Sequence, residues 1–311
     1  MRFSTCAWFL LVAACGADSP DNPLAFSVQS ADVTVLPNEE LTKCFYFHTT
    51  NTKPIAVNKW VADMTPGSHH MIFFVGGPEH EEGLSGDDCS FSPDKGANQP
   101  SWVFASQSSH SEQLLPDDDG EGKPLAQVIP PNSIGALQMH YFNSGSTPLT
   151  AHVNLEAHAL SESVKFTPTA PYVTYNFDIK IAPHQIGATA TATCDAPAGK
   201  FWQMSTHAHK QAVKTAVMDG QSMMFESTDW EHPGVALWDS TPFFTPTSGK
   251  ISWTCTYNNI GDNADSTVVD GASAATNEMC MAVGYTFPAS KLTICAANSE
   301  FTGGPGTCGC L

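Results

Sequence analysis

The chain has 311 residues, which is long enough for two domains that each bury a core. Hydrophobic residues make up 41% of the chain and charged residues 14%, a composition that argues against a disordered protein. The formal net charge of −18 and the absence of any basic cluster argue against a nucleic-acid partner. We interpret the scattered acidic residues as solvated loops. A calcium loop at 117–121 is the alternative, although its spacing does not match an EF-hand.

Residues 1–15 have the pattern of an export signal. Arg2 supplies the positive charge, and the apolar run 7–14 is too short to span a bilayer. The segment 12–15 resembles a bacterial lipobox, which implies cleavage before Cys15, lipid on its sulfur and anchoring to a membrane outside the cytoplasm. Ordinary signal cleavage a few residues later, giving a periplasmic or secreted protein, is the alternative.

Eight cysteines follow the signal, and this even number favours disulfides in an exported chain. No two of them form a CxxC pair, so the sequence does not predict a zinc site built from thiolates. The eight are Cys44, Cys89, Cys194, Cys255, Cys280, Cys295, Cys308 and Cys310.

Many short runs rich in β-branched and aromatic residues alternate with proline and glycine, a pattern typical of an all-β sandwich or barrel. The proline-containing polar segment 161–171 predicts a link between domains at 16–162 and 163–297, followed by a glycine-rich tail at 298–311. The predicted strands are 44–48, 71–75, 136–142, 153–159, 172–181, 201–207, 213–218 and 251–257.

The first candidate ligands are His69 and His70, which precede the apolar run 71–75. Neighbouring residues of a strand point to opposite faces, so both imidazoles reach one metal only at a strand end or a distortion. Pro66 and Gly67 make such a place plausible. One core histidine and one exposed histidine are the simpler interpretation.

His140 lies in a predicted strand whose one face carries Leu137, Met139 and Tyr141 and whose other face carries Gln138 and His140. The polar face is either part of a site or directed at water.

His207 and His209 are separated by one residue at the end of the run 201–209. Residues two apart in a strand share a face, so both imidazoles are placed to chelate one metal. Two exposed histidines are the alternative, because a motif this short has many false positives. Met279 would ordinarily fill a core, but beside histidines its thioether is a soft ligand that favours copper.

These four elements, in this order, resemble the copper type II, ascorbate-dependent monooxygenases, the family of peptidylglycine alpha-hydroxylating monooxygenase and dopamine beta-monooxygenase. The matching segments, which span most of the mature chain, are 69–71, 137–141, 206–209 and 278–280. The resemblance implies two jelly-roll-like β-sandwiches that face each other across a solvent-filled cleft, with one copper in each.

The resemblance also assigns the ligands. His69, His70 and His140 match the copper site that stores an electron. His207, His209 and Met279 match the copper site at which dioxygen and the substrate C–H bond react. The reductant would be ascorbate or an equivalent donor. Three disulfides are implied, namely Cys44–Cys89, Cys194–Cys295 and Cys255–Cys280, the last beside Met279.

The sequence departs from the family where the substrate binds. Ser205 stands where the peptide-amidating relative has an arginine that holds the peptide carboxylate, and Met281 and Val283 replace an asparagine and a tyrosine. These changes argue against a glycine-extended peptide and favour a more apolar substrate. Two other functions stay open: a copper-binding or electron-transfer protein without catalysis, and a zinc hydrolase in which Glu278 acts as the base.

Overall fold

The computed structural model describes residues 22–85, 100–297 and the backbone of 308–310. Within these ranges the regular elements are all β-strands, which confirms the predicted all-β class. Among the described residues, no helix has the length and apolarity that crossing a membrane requires. The predicted export signal, the lipidation site at Cys15 and most of the tail lie outside the described residues.

In the part of the chain that the structure describes, the first thirteen strands build the first sandwich. We call β1-β12-β4-β9-β13, with β8 on β4, the first outer sheet, and β6-β3-β10-β5-β7 the first inner sheet; β2 pairs with β11. The strands are β1 Leu24–Gln29, β2 Val33–Val35, β3 Glu40–His48, β4 Ile55–Met64, β5 Ser68–Val75, β6 Gly83–Leu84, β7 Ser101–Ser106, β8 His110–Leu114, β9 Leu125–Ile129, β10 Ile134–Phe142, β11 Leu149–Ala151, β12 Val153–Ala159 and β13 Thr167–Pro168.

The other twelve described strands build the second sandwich. We call β20-β17-β23-β14-β24-β25 the second inner sheet and β16-β21-β18-β19 the second outer sheet; β15 pairs with β22. The strands are β14 Ala170–Asn176, β15 Lys180–Ile181, β16 Ile186–Asp195, β17 Lys200–Ala208, β18 Ala212–Asp219, β19 Ser222–Ser227, β20 Ala236–Leu237, β21 Lys250–Asn258, β22 Val268–Val269, β23 Cys280–Phe287, β24 Thr293–Ala297 and β25 Cys308–Cys310.

The apolar residues of the inner sheets are divided between two faces. In β5, Met71 and Phe73 pack into the core of the first sandwich, whereas Ile72 and Phe74 belong to a different buried cluster. That second cluster also contains Met281 of the second inner sheet. Because side chains alternate along a strand, each inner sheet can close a sandwich with one face and contact the other inner sheet with its opposite face.

The two sandwiches therefore form four layers, with the inner sheets in contact. Trp202 and Tyr285 of the second inner sheet extend into the core of the first sandwich. The Tyr285 hydroxyl donates to the carbonyl of Val103 at 3.3 Å. The predicted link between the domains, 161–171, is held against the first sandwich, because β13 within it pairs in parallel with β9 of the first outer sheet.

Two of the three expected disulfides are confirmed. Cys194–Cys295 and Cys255–Cys280 each connect the second outer sheet to the second inner sheet. Cys44 is disulfide-bonded, and its expected partner, Cys89, lies outside the described residues. Disulfides that join two sheets of a sandwich are typical of exported proteins.

The first core supports the strand that carries His69 and His70, and Phe73 lies at its centre. The Phe73 ring is fully buried, with centroid distances of 5.5 Å to Trp60 and 5.9 Å to Phe47. We expect Phe73→Ala to lower the free energy of unfolding by about 3–5 kcal/mol, because it removes a ring and leaves a cavity. Phe142→Ala, at an exposed position of the same sheet, is the matched control. Equal losses in denaturant titrations of the two variants would contradict this packing.

Candidate metal centre

A β-bulge places His69 and His70 on the same side of the first inner sheet. His140 of β10 pairs with His70 of β5, but the next residue, Tyr141, pairs with Ser68. His69 is thus the extra residue of the bulge, which re-aims a side chain that a regular strand would direct into the core. The distortion that the neighbouring histidines require is present, and the two ring centroids are 4.9 Å apart.

His140 completes the first set of ligands. Its ring centroid is 5.1 Å from that of His69 and 5.0 Å from that of His70. Its Nε2 bonds the carboxylate of Glu40 at 2.7 Å, which leaves Nδ1 to face the other imidazoles. The polar face of β10 is therefore directed at the second sandwich and not at bulk water.

His207 and His209 lie at the end of β17 and just beyond it. Their ring centroids are 5.3 Å apart. His207 Nδ1 bonds the side-chain oxygen of Gln107 at 2.7 Å, and His209 Nδ1 bonds the carbonyl of Asn277 at 3.1 Å. In both rings Nε2 remains for a metal, as expected when an outer partner fixes the tautomer of a metal ligand.

The two sets of histidines form one cluster, and this differs from the expected pair of sites across a solvent-filled cleft. His207 lies 5.4 Å from His69 and 5.1 Å from His70 between ring centroids. Two triads each place their ligand atoms within 4.8 Å of one another, and His69 belongs to both. The contact between the inner sheets removes the cleft at this point. The triads are His69, His70 and His140, and His69, His207 and His209.

Four imidazole nitrogens of the cluster are buried without a hydrogen-bond partner: Nε2 of His69, His207 and His209, and Nδ1 of His70. Leaving a buried polar atom unpaired costs about 1–3 kcal/mol, so several at one point need an explanation. A metal ion that accepts these lone pairs accounts for all four. The donor set fits copper, since imidazole binds copper well and a thioether lies nearby.

Burial keeps the cluster neutral. Burial is the main cause that lowers the pKa of His69 to about 3 and that of His209 to about 4, and the neighbouring imidazoles lower both further. The pKa values of His70 and His207 are lowered for the same two reasons. Neutral imidazoles are the form that binds metal, so protons compete weakly for these ligands above about pH 5.

Met279 lines the same cavity as His70, His140 and His207. Its carbonyl accepts a hydrogen bond from the Tyr257 hydroxyl at 2.9 Å, and the following residue, Cys280, is held by a disulfide. The backbone that carries the thioether is therefore held by a hydrogen bond and by the neighbouring disulfide.

Glu278 does not face this cavity. Its carboxylate is fully buried and accepts the backbone N–H of His209 at 2.9 Å and that of Gln211 at 2.7 Å. Burial raises its pKa to about 7, although the amide donors oppose the shift. Both oxygens are occupied in holding the turn after β17, so the residue is not placed to act as the base of a zinc hydrolase.

A cavity of about 450 Å³ lies between the inner sheets beside the histidines. No lysine or arginine is among the described residues that line it. Met281 and Val283 line it, as does Ser205, whose hydroxyl donates to the carbonyl of Gly234 at 2.6 Å. Ser205, which stands where the relative has its arginine, therefore holds the 232–238 segment. The apolar part is formed by Ile72, Phe74, Trp102, Tyr175, Met281 and Val283.

The sequence did not single out several residues of the site. Gln107 and Glu40 come from the first sandwich but contact the second. Burial raises the pKa of Glu40, but hydrogen bonds from His140, Ser273 and the Ala274 amide outweigh this effect and lower it to about 2. His232 also lines the cavity. The Trp230 ring lies 5.6 Å from His69. None of these residues carries a local motif.

The acidic loop at 117–121 holds its own backbone. Asp118 accepts the N–H groups of Gly120 and Gly122 at 2.7 and 2.8 Å, and Asp119 accepts that of Glu121 at 2.7 Å. Asp117 and Asp118 are exposed, as the interpretation as a solvated loop predicts, whereas Asp119 is buried, so that interpretation is wrong for this residue.

No protein-family model matches the chain, and no curated protein matches it. Three solved structures with some similarity are viral or exported proteins. VP54 of PBCV-1, fitted into a reconstruction of the virophage Sputnik, has 6% identity and a TM-score of 0.29, covering 91% of this chain and 95% of that chain. The Cowpea mosaic virus top component has 8% identity and a TM-score of 0.32, covering 90% and 95%. The PBSX exported protein XepA has 8% identity and a TM-score of 0.22, covering 92% and 100%. Scores below 0.5 carry no conclusion about function.

His69 lies within ligand distance of both sets of histidines, but its neutral ring has one lone pair and binds one ion at a time. In copper titrations we expect His69→Ala to reduce affinity by more than about 100-fold at the site formed with His70 and His140, since even outer partners of a ligand contribute 10–100-fold. His70→Ala should weaken the same site. His110→Ala, at an exposed position of β8, is the control. Unchanged copper affinity of the His69→Ala variant would contradict the role of His69 as a ligand.

The lowered histidine pKa values predict acid sensitivity of the metal-free protein. Histidines of the unfolded chain take up protons below about pH 6.5, whereas folded His69 and His209 do so only near pH 3 and 4. The unfolded state therefore binds more protons, and the free energy of unfolding should fall as the pH falls from about 6.5 to 4. The free energy of unfolding of His209→Gln, measured by denaturant titration, should fall less steeply across this pH range. The raised pKa of Glu278 acts in the opposite direction in both proteins, so equal slopes for the wild type and His209→Gln would contradict a buried neutral His209.

Proposed function

We propose that the protein is a copper-dependent monooxygenase that hydroxylates a C–H bond of a small organic substrate with dioxygen. The observation that carries the proposal is the cluster of buried, unpaired imidazole nitrogens beside a cavity that is large enough for a small molecule and is also lined by Met279. A substrate-sized cavity beside a metal centre is the usual arrangement of a catalytic site.

We assign His69, His70 and His140 to one copper and His207, His209 and Met279 to the other, following the family resemblance. When bound, two coppers supply one electron each, which together provide the two electrons that hydroxylation requires beyond those of the substrate. Ascorbate or an equivalent donor restores these electrons. The protein supplies neutral imidazoles of fixed tautomer and a site from which water is largely excluded.

The cavity favours a largely apolar substrate without a carboxylate. The described lining offers no cation for a carboxylate, and the Ser205 hydroxyl is engaged by Gly234. Met281 and Val283 present apolar surface instead. A glycine-extended peptide would have to bury its carboxylate without a counter-charge, which costs several kcal/mol or more.

A copper protein without catalysis is the second candidate, and the cavity argues against it, because a carrier needs no space for an organic molecule beside its metal. The zinc hydrolase has less support, since Glu278 is turned to the backbone. We further propose that the protein is exported, in line with its disulfides, and anchored by lipid at Cys15.

The thioether ligand provides the direct test of catalysis. We expect Met279→Ile to abolish oxygen uptake with copper and ascorbate on a panel of phenethylamines, acyl-glycines and lipid-like compounds, because a branched alkyl group cannot bind copper. Copper at His69, His70 and His140 should stay bound. Met223→Ile, at an exposed position of β19, is the matched control.

Full activity of Met279→Ile would show that the ligand assignment is wrong. Tight binding of two coppers by the wild-type protein without oxygen uptake on any compound would favour the non-catalytic candidate. Zinc in the purified protein together with hydrolytic activity would favour the hydrolase.

A further inference from the structure

We infer that Glu40 is a positioning residue that ties the two sets of histidines together, fixing His140 with one part of its carboxylate and the loop before Met279 with the rest. The metal-binding consequence rests on the proposed function, whereas the contacts are properties of the protein itself.

The first contact follows from strand register. Glu40 begins β3, where it pairs with Phe142 of β10, and His140 pairs with Thr42. Glu40 and His140 are thus diagonal neighbours that share a face of the first inner sheet. His140 Nε2 lies 2.7 Å from Glu40 Oε1, and both side chains are largely buried. A proton held on Nε2 leaves Nδ1 of His140 as the atom available to a metal.

The second contact reaches the other sandwich. Ser273 Oγ donates to Glu40 Oε2 at 2.7 Å, and the N–H groups of Ala274 and Ala275 donate at 2.6 and 3.3 Å. A carboxylate from the first sandwich thereby accepts three donors from one turn of the second. Charge-assisted bonds of this kind are stronger than neutral ones, and this effect increases when they are shielded from water.

The turn held by Glu40 also positions His209. The N–H of Asn277 donates to the carbonyl of Ser273 at 2.9 Å, and the Asn277 carbonyl accepts from His209 Nδ1 at 3.1 Å. A continuous series of hydrogen bonds therefore runs from His140 through Glu40 and the 273–277 turn to His209. Met279 follows two residues later on the same segment.

A carboxylate is required at this position because both of its oxygens accept. Oε1 serves His140 and Ala274, and Oε2 serves Ser273 and Ala275. A glutamine has one acceptor oxygen and one donor amide, so it must present N–H groups either to the imidazole or to the backbone amide of the turn. An aspartate lacks a methylene group and falls short of one partner.

The test compares Glu40→Gln with Glu82→Gln. Glu82 is a matched control, since it accepts His48 Nδ1 at the same 2.7 Å from the opposite end of β3, at an exposed position remote from the cluster. Three readouts are needed: nitrogen NMR of the His140 ring in the metal-free protein, hydrogen exchange of the Ala274 and Ala275 amides, and titration with Cu(I).

In Glu40→Gln we expect His140 to lose its single Nε2-protonated tautomer and the two amides to exchange at least about tenfold faster. Cu(I) affinity should fall about 10–100-fold, as for other outer partners of metal ligands. Glu82→Gln should match the wild type in all three. An unchanged tautomer together with Cu(I) affinity within about twofold of the wild type would overturn the inference, even if the variant were less stable.

The outcomes separate this inference from the proposed function. A wild-type protein that binds no copper would contradict the proposed function, while the tautomer and amide exchange would still decide the role of Glu40. If the wild type takes up oxygen normally and the Glu40→Gln variant matches it in every readout, the proposed function stands and Glu40 is not its positioning residue.

Discussion

The contact between the two inner sheets is the interaction on which the rest of the structure depends. Each inner sheet uses one face for its own sandwich and the other for its counterpart, so the interface is a second apolar core, with Ile72 and Phe74 on one side and Met281 on the other. At its edge the packing changes from apolar side chains to imidazoles. The candidate metal centre and the cavity both lie at this one surface, and the second triad combines His69 of the first sandwich with His207 and His209 of the second.

The interface would be unfavourable without compensation, since it buries four histidines, half-buries His70 and leaves four imidazole nitrogens unpaired. Part of the cost is offset by polar contacts between the sandwiches. Gln107 of the first sandwich bonds His207 of the second, and the Glu40 carboxylate, which also bonds His140, accepts donors from the 273–275 turn of the second. The rest of the cost is what a bound metal would recover, which links metal binding to the stability of the closed arrangement.

Several residues that look chemically active by type have structural tasks. Glu278 satisfies the backbone after β17, Ser205 holds the 232–238 segment, and Asp118 closes its own turn. Each of these polar groups has its partners, whereas four imidazole nitrogens of the cluster have none. This difference in hydrogen bonding, more than residue type, separates the candidate ligands from the other polar residues near the cavity.

The all-β class and the ligand candidates could be predicted from the sequence, because alternation along a strand and short motifs are local, whereas the disulfide pairings were implied by the family resemblance. The neighbouring histidines also predicted a distortion at His69, which the bulge provides. The sequence could not predict that the two histidine sets touch, that Glu40 and Gln107 join them, or that Glu278 faces the backbone. These facts depend on sheet register and on packing between residues more than 60 positions apart, such as Glu40 and Ser273 or Gln211 and Glu278. No local pattern encodes such contacts, since they are selected by the burial of whole sheet faces.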